Sequence, residues 1–276
     1  MTGNDTRPNA HRGWDELITS PANPTVKLAR SLHRKRVRQR ERAMLVEGVR
    51  SILTAHDLDV RIRALLIDAS RAADVAAVVA RLRDASGRVL LIDPVLFKDI
   101  TDTEHPQPLV AICEMVDLEL PNDSSFVVAL DAVRDSGNFG TLIRSCAAAG
   151  ADGVALLPGT VDPYNPKALR ASVGSIFATP VQPFAGLDDI IQRCFLTCPV
   201  VVVADADGDR TYDNVDWTAP SLLIIGGEAD GISEAVRTYA DFTVTIPMVP
   251  GIESLNAAVA GSIIAFEVAR QRRLSR

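Results

Sequence analysis

The sequence predicts an α/β protein of two domains, and three observations lead there. Apolar runs of strand length alternate with segments of helix length along nearly the whole chain, the pattern of sheets joined by helical crossovers. From Phe126 onward those runs are almost continuously apolar (Phe126-Val127-Val128-Ala129-Leu130, Val200-Val201-Val202-Val203-Ala204, Ser221-Leu222-Leu223-Ile224-Ile225-Gly226), as parallel strands covered on both faces require. Between the halves, Leu118 to Ser125 gathers Pro, Asn, Asp and Ser into a linker-like break. The expected division is a polar, disordered tail over 1–16, a small α/β domain over 17–118, a linker over 119–125 and a second domain over 126–276. With 276 residues, 47% hydrophobic and 23% charged, the chain is long and apolar enough for a sizeable core.

In the first domain, Leu17 to Pro24 is a turn-rich lead, and Asn23-Pro24 or Thr25 starts a helix expected to run to about Arg40. Strands are expected at Ala43–Gly48, Ile62–Ile67, Val89–Ile92 and Leu109–Met115, with helices at Val49–Ala55, Ala72–Asp84 and Val95–Asp99. In the second, strands at 126–130, 153–157, 200–204, 221–226 and 242–246 alternate with helices at 141–149, 167–173 and 187–194, with a short extended piece at 178–181. Gly150 is placed to cap the helix before it. A largely parallel sheet of this kind carries its ligand site at the C-terminal ends of its strands.

The last helix differs from an amphipathic surface helix, which shows one apolar stripe. It opens near Ser254 and Asn256 after the broken turn Met248 to Glu253, and Leu255, Ala258, Val259, Ile263, Ile264, Phe266 and Val268 wrap around it. Burial is expected, with Ala257, Ala258, Ala260, Gly261 and Ser262 allowing close backbone contact. Polar residues confined to its start suggest the wall of a ligand pocket; a plain capping role for Ser254 or Asn256 is the simpler alternative.

Composition excludes several classes. No apolar run reaches the roughly 18 residues a membrane span needs, and no secretory signal pattern opens the chain, so a cytoplasmic protein without membrane contact is expected. The 4 cysteines lack a CxxC pair or a nearby His and read as buried reduced thiols, with no metal site expected. A net charge of −6 argues against indiscriminate coating of nucleic acid. Its distribution does not, because Lys27, Arg30, Arg34, Lys35, Arg36, Arg38, Arg40 and Arg42 crowd one segment with Glu41 as the acid among them. Such a run is either a solvated helix face or a phosphate-binding surface, and mutual repulsion favours the second. Lys167 and Arg170, after a strand end, are further candidates for contact with phosphates.

Three loops fall at strand ends: Asn138 to Arg144, Gly226 to Ile232, and Ile246 to Asn256. Neither glycine loop fits GxGxxG or a GK[ST] phosphate loop, so a dinucleotide or nucleoside triphosphate is not their ligand. Together, N-x-G-x-x-x-R at Asn138, Gly140 and Arg144, G-x-E-x-x-G at Gly226, Glu228 and Gly231, and I-P-M followed by S-L-N at Ile246 and Ser254-Leu255-Asn256 resemble the SpoU/TrmH branch of the SPOUT superfamily. Its members are S-adenosylmethionine-dependent RNA ribose 2′-O-methyltransferases. The likeness spans 126–273, while Leu17 to Arg50 resembles the ribosomal-protein-like RNA-binding domain that precedes the catalytic domain in ribosomal RNA members.

The resemblance implies a C-terminal α/β trefoil-knot domain with a parallel sheet, a homodimer and ribosomal RNA as substrate. It implies S-adenosylmethionine held by Ala204, Gly226, Gly227, Ile246 and Leu255, largely through main-chain atoms. It assigns catalysis to Arg144, with Asn138, Glu228, Ser254 and Asn256 shaping the site. A guanidinium is a reluctant base, so Arg144 is expected to orient the ribose or its phosphate and to stabilise a developing alkoxide. A transfer RNA ribose methyltransferase and a non-catalytic RNA-binding protein of the same fold are the alternatives.

Overall fold

The computed structural model describes residues 16–101, 103–227 and 231–275, so Glu228 and all but the last residue of the tail expected over 1–16 lie outside the described residues. The chain divides into two compact units, one ending at Met115 and one beginning at Val116.

The first unit runs β1 (Glu16–Ile18), α1 (Pro24–Ser31), α2 (Lys35–Glu41), β2 (Ala43–Glu47), α3 (Val49–Asp57), β3 (Ile62–Asp68), α4 (Ala72–Leu82), β4 (Val89–Ile92), α5 (Pro94–Thr101) and β5 (Leu109–Glu114). Its strands lie in the order β1-β4-β3-β5-β2, with β5 antiparallel to both neighbours. Strand β1 was not expected; three residues are too few for a periodicity, and only its pairing with β4 defines it. Val26, Ala29 and Leu32 of the α1 segment pack with Leu66, Leu90, Phe97 and Ile112 in one core.

The basic helix expected to reach Arg40 in one piece is instead broken into α1 and α2. Asn23 starts it as anticipated, its side-chain oxygen accepting from the Thr25 and Val26 amides. The break has a physical cause in Arg38, which is only 2% exposed and donates to the carbonyls of Leu32 (2.7 Å) and His33 (2.8 Å). Those carbonyls end the first helix, and a buried guanidinium satisfies them where water cannot. Arg38 is thereby corrected from a candidate RNA ligand to an internal brace.

The second unit runs β6 (Phe126–Asp131), α6 (Ser136–Ala149), β7 (Gly153–Leu156), α7 (Pro166–Ser172), β8 (Val181–Pro183), α8 (Leu187–Cys194), β9 (Val200–Ala204), β10 (Arg210–Thr211), β11 (Ser221–Gly226), α9 (Glu234–Arg237), β12 (Phe242–Thr245) and α10 (Ala257–Leu274). The seven-stranded sheet has the order β10-β12-β9-β11-β6-β7-β8, and every pairing is parallel. Val127, Ala129, Val201, Val203, Leu222 and Ile224 point to one face with Leu187 and Ile190 of α8. Segment 119–125 is fastened to this unit: Leu120 donates to Gln182 (2.7 Å), and the Ser125 and Phe126 amides donate to Asp152 (2.7 and 2.8 Å).

Helix α6 begins five residues earlier than expected, so Asn138 and Gly140 are helical rather than looped. The Asp135 carboxylate caps it by accepting from the Asn138 amide at 2.8 Å, which overrides the poor helix propensity of Gly137 and Gly140. Gly140 is needed where it stands, because a Cβ there would come 2.5 Å from the Ala171 Cβ and 2.7 Å from the Ala168 carbonyl of α7. Arg144 consequently sits past the middle of the helix.

Helix α10 crosses the other side of the sheet. A Cβ on Gly261 would lie 2.6 Å from Leu142 of α6 and 3.2 Å from Ile225 of β11, so the small residue permits both contacts. Its far end is held by Arg272, which donates to the Trp217 and Ala219 carbonyls and to both the Oγ and carbonyl of Ser125, at 2.8 to 3.0 Å. The helix is not buried on every side: Val259 is 46% and Phe266 51% exposed. Gly140→Ala is expected to lower the urea-unfolding stability of the protein by about 1–3 kcal/mol, since two packed helices must separate to admit one methyl group.

Candidate functional site

A cavity of about 450 Å³ opens where β9, β11 and β12 end. The volume suits a small-molecule ligand. All five residues expected to hold a methyl donor, Ala204, Gly226, Gly227, Ile246 and Leu255, line it, although they come from four separate segments of the chain. Ile225, Ile232 and Ile264 supply apolar wall, and Asp205, Thr245, Ser254 and Asn256 bring polar groups. Apolar surface for an aromatic base and a few convergent polar groups for a sugar and an amino acid match the chemistry of S-adenosylmethionine.

The glycine loop that forms one wall is anchored on β6. The Asp131 carbonyl accepts from Gly227 (2.9 Å), and its carboxylate, in a residue 5% exposed, accepts from the Ser233 amide (2.8 Å). Ala132 follows with φ at 53°, a left-handed conformation uncommon for a residue with a Cβ. A Cβ on Gly227 would come 2.5 Å from the Ala132 carbonyl, so β6 and the loop meet at backbone distance. Sequence reading missed Asp131 because a single acid ending an apolar strand looks like a loop residue.

The polar start of α10 forms the opposite wall. Asn256 is the cap, its side-chain oxygen accepting from Ala258 (3.0 Å) and Val259 (3.2 Å), while its amide nitrogen donates to Asn138 Oδ1 at 3.0 Å. Capping and site formation are thus one arrangement rather than alternatives. Ser254 lies in the preceding loop and lines the cavity, so the helix starts three residues later than expected and the capping alternative for Ser254 falls away. Nearly two turns further on, the Ser262 and Ser145 hydroxyls share a hydrogen bond at 2.7 Å, keeping α10 against α6. The backbone amide of Asn138 holds the Asp135 carboxyl below the usual carboxylate range, and Lys167 adds to the effect from 3.6 Å.

Arg144 is exposed on α6 and does not line the cavity of its own chain. Lys167 is likewise exposed, but Asp135 already engages it; Arg170 is half-buried. In the first unit, Lys27, Arg34, Lys35 and Arg36 are exposed, whereas Arg30 is paired with Asp99. Arg63 donates to the Arg42 carbonyl at 3.3 Å, and both Arg61 and Arg63 reach Glu114. The sheet therefore brings Arg61 and Arg63 beside the basic run, a proximity no linear pattern displays.

Sequence reasoning also passed over a charged pair on the cavity wall: Arg237 Nη2 lies 2.5 Å from Asp205 Oδ2. Among the described residues no group of His, Cys, Asp and Glu could hold a metal ion, and no helix is long and apolar enough to cross a membrane. Burial pushes the thiols of Cys113 and Cys146 up to about 12, leaving them protonated and inert at neutral pH. Cys194 is also buried, but Cys198, expected to be buried, is exposed.

Comparison with known proteins agrees with this geometry. Residues 125–266 match the SpoU rRNA Methylase family, and residues 23–111 match the MRM3-like substrate binding domain. The 23S rRNA (uridine(2479)-2′-O)-methyltransferase of Streptomyces viridochromogenes is 37% identical over 245 residues, 85% of each chain. The 23S rRNA (guanosine(2553)-2′-O)-methyltransferase RlmP of Bacillus subtilis is 30% identical over 91% of this chain and 98% of its own. Among solved structures, the SpoU methyltransferase AviRb of S. viridochromogenes in complex with AdoMet superposes with a TM-score of 0.81 at 33% identity, covering 92% of this chain and 100% of that one. An AdoMet-bound rRNA methyltransferase from Sinorhizobium meliloti gives 0.79 at 33% identity over 92% and 97%. Two strand-end loops and a capped helix closing on one cavity, in a chain matched along most of its length by these proteins, place it in the SpoU rRNA methylase family.

Proposed function

We propose that this protein transfers a methyl group from S-adenosylmethionine to a ribose 2′-hydroxyl of large-subunit ribosomal RNA, as a cytoplasmic homodimer. The observation that carries the reading is the single cavity lined by Ala204, Gly226, Gly227, Ile246 and Leu255, with the linked Asn256 and Asn138 beside it. The match of residues 23–111 to a substrate-binding domain favours ribosomal RNA over transfer RNA. Residues 17–118 select the RNA, residues 126–276 perform the transfer, and the trefoil threading implied by the family explains why the cavity draws on segments far apart in sequence.

When bound, S-adenosylmethionine supplies an electrophilic sulfonium methyl. The remaining work belongs to the protein. Asn256 and Asn138 fix the edge of the cavity, and Ser254 and Glu228 act at its mouth and glycine loop. Transfer to the acceptor oxygen would break the sulfonium–methyl bond and leave a neutral thioether, with the hydroxyl proton passing to solvent, and Arg144 stabilises the charge that develops on that oxygen. Its own cavity does not include it, so the Arg144 of one copy serves the cavity of the other. Val249, Ile252, Leu255, Val259 and Phe266 support that arrangement: they form an exposed apolar surface on α10 and the turn before it, which a second copy would cover.

Arg144→Ala is expected to lower kcat about 10²–10³-fold while leaving S-adenosylmethionine affinity unchanged in calorimetry. Mixing Arg144→Ala with Ala204→Trp, designed to fill the cavity, should restore about a quarter of wild-type methyl incorporation, because half the dimers are mixed and each mixed dimer keeps one complete site. No recovery would show that Arg144 acts within its own chain. Asn256→Asp retains the helix cap but loses the donor to Asn138, so melting temperature should hold while turnover falls; Asn256→Ala should lower both, with a stability loss of about 1 kcal/mol.

The exposed cations Lys27, Arg34, Lys35 and Arg36 are proposed to bind RNA phosphates, with Lys167 and Arg170 contacting the same RNA. Changing Arg34, Lys35 and Arg36 together to Gln should reduce the slope of log affinity against log salt by roughly 2–3 in filter binding to ribosomal RNA. Tritiated-methyl incorporation into ribosomal and transfer RNA, followed by mapping of the 2′-O-methyl position, tests the substrate; label in transfer RNA alone would overturn the assignment.

A further inference from the structure

The cavity wall carries an ion pair between Asp205 and Arg237. Asp205 follows the last residue of β9, and Arg237 ends α9; both line the cavity. Their side chains meet at 2.5 Å, with Asp205 side-chain exposure at 15%. The loop bearing Asp205 is built firmly: the Asp205 amide donates to Val244 (2.9 Å), Asp207 donates to Asp205 Oδ1 (3.1 Å), and Thr245 Oγ1 donates to the Ala206 carbonyl (2.8 Å). A charged residue held this way on a ligand cavity has a fixed direction and low reorganisation cost. Among the described lining residues, Asp205 is the carboxylate.

Its position along the cavity says which part of a ligand it meets. Asn256 is bonded to Asn138 of α6, the helix that follows β6, and on the proposed reading the methyl is presented at that end. Asp205 is at the end of β9, and β11 lies between β9 and β6 in the sheet. Two strand spacings are about 10 Å, comparable with the span of an adenosyl group. With its methyl at one end, the donor therefore lays its nucleoside toward the other. The nucleoside offers vicinal ribose hydroxyls as donors, and a carboxylate at the end of a parallel strand is suited to accept them. Each carboxylate oxygen has two lone pairs, so Asp207 and Arg237 leave acceptor capacity on both.

We infer that Asp205 accepts hydrogen bonds from the ribose hydroxyls of the methyl donor and that Arg237 is the positioning residue that orients it. This departs from purely main-chain recognition and rests on the proposed identity of the ligand. The pair keeps the wall close to neutral, so the carboxylate can serve as an acceptor without an isolated buried charge.

Calorimetric titration of the full-length protein with S-adenosylhomocysteine and with its 2′,3′-dideoxyribose analogue tests the inference. Wild type should bind the parent ligand tenfold or more tightly than the analogue, as expected for hydrogen bonds to a charged acceptor. Asp205→Ala should bind both with equal, weakened affinity, and Arg237→Gln should show a reduced preference between them, a pattern that general loss of stability does not produce. Equal binding of the two ligands by wild type, or an undiminished preference in Asp205→Ala, overturns the inference while leaving the methyl-donor reading intact. Binding of neither ligand by wild type overturns that reading, and the inference with it.

Discussion

The arrangement of the second unit depends on α10 being fastened at both ends. At its start, Asn256 shares its side chain between two amides of its own helix and Asn138 of α6. At its end, Arg272 places its donors on the carbonyls of Trp217, Ala219 and Ser125, while Gln271 donates to Val215 and accepts from the Trp217 amide. Between them Gly261 and Ser262 let the helix lie against Leu142, Ile225 and Ser145. A helix tied only by apolar packing could slide by a fraction of a turn at little cost. Directional bonds at both ends fix its register, and with it the placement of Ser254, Leu255 and Asn256 on the cavity wall.

The same economy explains why the site is spread over distant segments. Gly226 ends β11 and Gly227 follows it, Ala204 ends β9, and Ile246 follows β12, so the parallel sheet itself assembles them. The order of strands reverses its direction of growth at β6, with β7 and β8 added on one side and β11 and β9 on the other. Such a reversal leaves a crevice beyond the strand ends, because successive crossovers depart to opposite sides. Asp131 stands at that point and ties the loop after β11 back to β6 through Ser233 and Gly227.

Much of this was legible in the chain. Strands β6, β9 and β11 are continuous apolar runs, and burial on both faces leaves little else for them to be. The glycine and Ser-Leu-Asn motifs led to residues that do share one cavity, because main-chain recognition selects for small residues at strand ends. What stayed hidden depends on contacts made across the fold. Arg38 looks like any other cation of the basic run until Leu32 and His33 are seen to offer it their carbonyls. Helix α6 starts early because one carboxylate, Asp135, outweighs two glycines. Asp205 and Arg237, thirty-two residues apart in the numbering, signal nothing separately.

The charge of the protein shows why a sum is a poor guide to an RNA-binding surface. The chain carries −6 overall, and a uniform sphere of that charge would repel a polyanion. At physiological salt, however, exposed charges farther apart than about 8 Å are largely screened from one another, so an approaching phosphate responds to its immediate neighbours. Around α1 and α2 those neighbours include Lys27, Arg34, Lys35 and Arg36, all exposed, with Arg61 and Arg63 brought to the same end of the sheet as Arg42. Glu41 and Glu114 engage Arg40, Arg61 and Arg63, which limits repulsion within the cluster without placing an acid on each exposed cation. An acidic protein can hold a basic face in this way, and the surrounding negative charge then discourages RNA from settling on other surfaces.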